Sequence, residues 1–267
     1  MSPKPPAFTA AALWVSLAAA DDASDDLLQA ARASLVDRPT LSCRVTQTSQ
    51  TPSGTVRGEG TYLAGRFPRL RLETTLTVVD SACQCLDVCD GQVLWSVRDV
   101  RHAGVDAGPP SVTRRDVERV WQSLAASGRP AEARRVGDLA AGGLPGLIAG
   151  IADAYAMQEV RGEAGVRRMA GGLREGAAER LDLGGARKDG RLPETAVVDI
   201  DAATLLPRRV AYYSSGETPA VLHEIRFEGY AEPAADPAAF TYTPPRDVDV
   251  SDRTDATLAA GKRPAAE

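Results

Sequence analysis

Arg69-Leu70-Arg71-Leu72-Glu73-Thr74-Thr75-Leu76-Thr77-Val78-Val79 is the stretch on which the fold turns. Leu70, Leu72, Thr74, Leu76 and Val78 take alternate positions, and Arg69, Arg71, Glu73, Thr75 and Thr77 take the others. A period of two sends successive side chains to opposite faces of a strand. One face here is apolar and the other charged, as in an antiparallel sheet covered on one side. Outward from this strand, residues 41–49 and 56–64 read as strands joined through Pro52-Ser53-Gly54. Residues 84–89 and 92–98 read as a hairpin through Asp90-Gly91, a strong turn dipeptide.

The flanks bring helices. Leu27, Leu28, Ala31 and Leu35 recur at helical spacing and predict a helix over 23–36, stopped by Pro39. Val117, Val120, Trp121 and Leu124 predict another over 113–127. Residues 138–153 carry Leu139, Leu144, Leu147, Ile148 and Ile151, but Gly142-Gly143 and Pro145 divide them into two short pieces with a bend. Strands resume at 155–161, 165–173, 195–201, 207–214, 220–229 and 239–242, with 174–192 an exposed connection. This order predicts an α+β, β-rich fold. Its centre is a strongly curved antiparallel sheet, an incomplete β-barrel, with helices covering the concave apolar face.

Composition narrows the function. The 267 residues hold 31 basic and 36 acidic side chains, a net charge of −5, which disfavours nucleic acid as a partner. Aromatics are 5% and histidines only two, so histidine-based catalysis and metal binding are poor expectations. His223 shares parity with Val221, Ile225 and Phe227 and reads as a core histidine, while His102 lies in a Gly-rich loop region near Asp99 and Asp106. No Ser-His-Asp grouping, phosphate loop or paired-carboxylate motif stands out. The expectation is no enzyme, no catalytic residue, no cofactor and no metal. Alternation puts Cys83, Cys85, Asp87 and Cys89 on one face. A disulfide from Cys43 to one of the three other cysteines is expected, with a soft metal site involving Cys43 as the alternative.

The chain begins like an exported protein. Lys4, the uncharged run Ala7–Ala20 and the small residues Ala18-Ala19-Ala20 precede acidic Asp21, Asp22, Asp25 and Asp26. That is the layout of a signal peptide over residues 1–20, too short to span a bilayer. Asp21 stands where a lipid-anchored protein would carry cysteine. Residues 21–253 then form one domain, and 254–267 an Ala-rich, weakly helical, flexible tail.

Three motifs carry a family likeness. Gly65-Arg66-Phe67-Pro68-Arg69-Leu70 resembles the RPxL strand entry of the LolA/LolB-like periplasmic lipoprotein carriers, which sort lipoproteins to the outer membrane. Cys89-Asp90-Gly91-Gln92-Val93-Leu94-Trp95 resembles their DGxxLW hairpin. Phe240-Thr241-Tyr242-Thr243-Pro244-Pro245 with Val248-Asp249-Val250 resembles their FxFxPPxGVxV ending. The long middle insert marks a diverged subgroup. The resemblance implies a soluble, monomeric periplasmic carrier that holds lipid or lipoprotein acyl chains in an apolar half-barrel. It would pass them from an inner-membrane donor toward an outer-membrane acceptor. The expected cavity lining is Leu70, Leu72, Leu76, Val78, Trp95, Val198, Ile200, Val210, Ile225 and Phe227, and the expected lid is Leu144, Leu147, Ile148 and Ile151. In the family an arginine directly before the proline grips the lid; Phe67 stands there, so Arg66 reads as a surface residue. The alternative function is a lipid-sensing or protein-interaction envelope module that transports nothing.

Overall fold

In the computed structural model, residues 21–52, 54–103, 108–126, 137–180, 192–216 and 218–261 are described. The proposed signal peptide lies outside them, as does the end of the tail. In chain order the elements begin with α1 (Asp21–Val36), β1 (Leu41–Thr51), β2 (Gly54–Ala64), β3 (Leu70–Val78), β4 (Ser81–Cys89), β5 (Val93–His102) and β6 (Ser111–Asp116). Next come α2 (Val117–Ala125), α3 (Gly143–Ala154), β7 (Tyr155–Val160), β8 (Val166–Leu173) and α4 (Ala177–Arg180). The chain continues through β9 (Thr195–Asp201), β10 (Pro207–Tyr213), β11 (Val221–Ala231), a 3-10 turn (Pro237–Phe240), β12 (Val250–Asp252) and α5 (Thr254–Gly261).

The strands join in one open, curved sheet ordered β12-β6-β5-β4-β3-β2-β1-β11-β10-β9-β8-β7. Every pairing is antiparallel except β12 with β6. The expected α+β architecture is therefore present. Glycines on the inner face allow the bend. A Cβ on Gly60 would stand 1.9 Å from the Glu73 carbonyl oxygen, and one on Gly171 2.3 Å from that of Ala156. Only a residue without a side chain lets the strands approach so closely.

α1 and α3 pack on each other and on the inner face. Leu27, Leu28, Ala31 and Leu35 of α1 join Leu144, Ile148 and Ile151 of α3 in one continuous core. Leu41, Tyr62, Leu70, Leu94, Met157, Met169, Val198, Ile200, Val210 and Phe227 complete it from the strands and are all buried. Arg32 of α1 forms a two-pronged ion pair with Asp138, which lies in a helical turn over 137–141. Gly142, at φ 72°, separates that turn from α3, so the bend read from Gly142-Gly143 is real.

Three readings need correction, and the helical reading of the tail holds over its first residues. Residues 111–116 pair with β5 as a strand, so the predicted helix starts later, at Val117, capped by Asp116 accepting from the Arg119 N–H at 2.8 Å. Residues 237–240 make a 3-10 turn in place of the strand expected at 239–242, because Asp236 caps the Ala238 N–H and Pro237 begins the turn. The last strand is 250–252 instead. Within the connection 174–192, Ala177 and Ala178 are buried in α4, and residues 181–191 lie outside the described ones. In the tail, residues 254–261 form α5, whose Leu258 packs against Val120 and Leu124 of α2.

Candidate functional site

Sheet register decides which side chains share a face, because residues directly opposite on paired strands project together. Across β2 to β6 one inner row reads Tyr62, Leu72, Asp87, Ser96 and Thr113. The next reads Gly60, Thr74, Cys85, Arg98 and Ser111, and the one after it Gly58, Leu76, Cys83 and Val100. The helices bury the inner face at Leu70, Cys89 and Leu94. Further along these strands Leu72, Leu76, Val78, Cys83 and Cys85 are only half-buried, and Val100 is 47% exposed. The inner face thus has a sealed part and an open part.

The expected lining residues divide between them. Leu70, Val198, Ile200, Val210 and Phe227 lie in the sealed core, together with Leu144, Ile148 and Ile151; Leu147 and Ile225 pack at its border. Leu72 packs at that border too, and Leu76 and Val78 lie in the open part. Trp95 belongs to neither. It pairs with Val88 and Arg114 on the outer face and its ring meets that of Tyr242 at 5.7 Å. Leu94, one residue before it, carries the inward position. Arg66 is exposed, and Phe67 packs its ring on Trp121 at 5.7 Å. The residue tying α1 to the 137–141 turn is Arg32, which sequence reasoning passed over; its signal was a lone arginine beside the apolar stripe of α1.

All four cysteines are free, which overturns the expected disulfide. Cys83 and Cys85 bring their Sγ atoms to 3.5 Å on the inner face. Cys43 is on β1, with β2 and β3 between, about 14 Å away at the usual strand spacing. Burial pushes the Cys43 thiol up to about 12, opposed by the neighbouring Tyr230 hydroxyl. Burial likewise raises Cys85 to about 11, so both stay protonated near neutral pH. Among the described residues no group of three or more His, Cys, Asp or Glu side chains is arranged to hold a metal ion. Each histidine bonds the serine directly opposite: His223 Nδ1 with Ser49 Oγ, and His102 Nδ1 with Ser81 Oγ at 2.7 Å. His223 also stacks on Tyr212, and burial lowers its pKa.

Among the described residues, two of the clefts open on the other, outer face. One, of about 690 Å³, is bordered by Arg168, Asp199, Arg209, Arg226 and Glu228. Its arginines are already engaged, Arg168 with Asp199 at 2.5 Å and Arg209 with Glu224 at 2.6 Å. The other, of about 820 Å³, is bordered by Arg44, Glu59, Glu73, Gln84 and Asp99. Both clefts mix charged and apolar walls: Val166, Leu206 and Phe227 join the ion pairs of the first, and Leu86, Val97 and Pro110 the charged residues of the second. Of the expected lining residues only Phe227 borders either cleft.

Fold and site together define a class: an open, curved antiparallel sheet whose inner face is partly filled by two helices. Solved structures similar to the chain include LprF from Mycobacterium bovis, at 10% identity and TM-score 0.39 over 82% of this chain and 97% of that one. A LolA superfamily protein from Nitrosomonas europaea is similar at 11% identity and TM-score 0.29, over 84% and 99%. MucB in complex with MucA is similar at 12% and 0.36, over 80% of this chain and 57% of that one. At these values the likeness carries no functional argument. No protein-family model matches the chain, and no curated protein matches it in sequence. Among the described residues no helix is long and apolar enough to cross a membrane.

Proposed function

We propose that the chain is a soluble, non-enzymatic periplasmic carrier that holds the acyl chains of a lipid or lipoprotein against its inner face. One observation carries this: the apolar inner face of β3 continues past the helices, leaving Leu72, Leu76 and Val78 half-buried. A hydrocarbon chain laid there removes about 0.8 kcal/mol of exposure for each methylene it buries. The sealed core fits the same function as a seat for α1 and α3, and their movement would lengthen the apolar track toward Leu70, Val210 and Phe227. The three motifs that resemble the lipoprotein carriers support the same reading, as does the signal-like start of the sequence.

The test has two stages. Mass spectrometry of protein purified from its native envelope should find co-purifying lipid, and a fluorescent fatty-acid probe should bind saturably. Absence of both would remove the lipid-binding function. Transfer of labelled lipoprotein to outer-membrane acceptor vesicles should then occur; bound lipid without transfer would make the protein a sensor or interaction module instead.

A further inference from the structure

The inner face is not uniformly apolar. On its β4–β6 flank it carries Asp87, Arg98 and Arg115, placed there by the pairings of Asp87 with Leu72, Arg98 with Cys85 and Arg115 with the core residue Leu94. Arg98 Nη2 donates to both carboxylate oxygens of Asp87 at 3.0 Å, and its Nη1 donates to the Val97 carbonyl at 2.9 Å. Arg115 has no such partner. Its Nη1 donates to the Ala140 carbonyl at 2.9 Å, and its Nε is buried with no acceptor. A buried donor without an acceptor is costly, and an oxygen anion would satisfy it.

Charge points the same way. Two guanidiniums face one carboxylate, so this flank holds one surplus positive charge on a chain whose net charge is −5. Another inward arginine of the sheet, Arg167, is matched by Glu159 at 2.7 Å near the opposite edge. Half-buried Ser96 and Thr113 add hydroxyls in the same row as Asp87, and Leu72 stands next to Asp87 on its other side. A polar, cationic corner therefore adjoins the open apolar track.

We propose that the ligand is an anionic amphiphile, its carboxylate or phosphate group held at Arg98 and Arg115 and its chain laid over Leu72 and Leu76. This rests on the lipid-binding function and adds the ligand's charge. An unpaired guanidinium selects an oxygen anion over a hydroxyl because the charged hydrogen bond is the stronger one.

The experiment compares laurate and dodecyl phosphate with uncharged dodecanol by displacement of the fluorescent fatty-acid probe at fixed ionic strength. The two anions are expected to bind about tenfold tighter than the alcohol. Arg115→Gln should abolish that preference, bringing the anions down to the affinity of dodecanol for the same variant. Asp87→Asn, which frees Arg98, should increase it. Inorganic phosphate should fail to displace the probe at concentrations where dodecyl phosphate succeeds. Equal affinity for anions and alcohol overturns the head-group assignment and leaves lipid binding standing, whereas failure of all three amphiphiles removes lipid binding itself. Displacement by inorganic phosphate as effective as by dodecyl phosphate marks a free-anion site and also overturns the proposal. Should Arg115→Gln fail to fold, Asp87→Asn still decides: unchanged or weaker anion preference contradicts it.

Discussion

The two parts of the inner face use the same strand alternation for different ends. Under α1 and α3, the residues Met169, Val198, Ile200 and Val210 are completely buried. On β3 and β4, the residues Leu72, Leu76 and Cys83 have the same inward orientation and remain partly open. Nothing in residue type separates Val198 from Val78. What separates them is whether a helix arrives overhead. Stability is concentrated in one part, and accessible apolar surface is left in the other.

That contrast is broken most forcefully in the sealed part. Ile200→Ala should lower unfolding free energy by about 3 kcal/mol, since it opens a cavity in packed core. A denaturant titration checks this, and a loss under about 1 kcal/mol would mean the helices do not seal the face. Asp138→Ala strands Arg32, whose ion pair is nearly closed to water (14% and 4% exposed), and should cost about 3 kcal/mol. The same substitution should speed proteolysis between α2 and α3 if the pair seats the 137–141 turn.

His223 sharpens the boundary through pH. Burial holds its folded pKa below the ordinary 6.5 or so, so the unfolded chain takes up the proton first as pH falls. Its contribution to stability is complete above that ordinary value and declines as pH drops toward the lower folded value. Melting temperature should therefore fall from pH 7 to pH 5, and His223→Gln should flatten part of that slope. The smallest effect belongs to the open part: Leu76→Ala should cost less than about 1 kcal/mol, because the side chain is only partly buried. A large loss there would mean the track is core.

Much of this was legible in the residues. The alternation over 69–79 gave β3 and its inward face, and helical spacing gave α1. Trp95 was legible too, though size and apolarity outweighed its parity: Leu94 and Trp95 cannot both face inward on one strand. β6 was hidden because Ser111-Val112-Thr113-Arg114-Arg115-Asp116 has almost no apolar stripe and runs straight into the helical pattern of α2. β12 is a short strand of three exposed residues held by parallel pairing to β6, a long-range contact that no local pattern announces. The division of the inner face into sealed and open parts had no local signal at all. It depends on how far two helices reach across a sheet, which is a property of packing.

The most direct measurement of the open track is photo-crosslinking with a diazirine-bearing fatty acid, mapped by peptide sequencing. Label should concentrate on β3 and β4, within 70–89, and fall sharply in Leu76→Asp. Label confined to the outer clefts near Arg168 and Asp199, or unchanged by Leu76→Asp, would contradict an acyl site on the inner face.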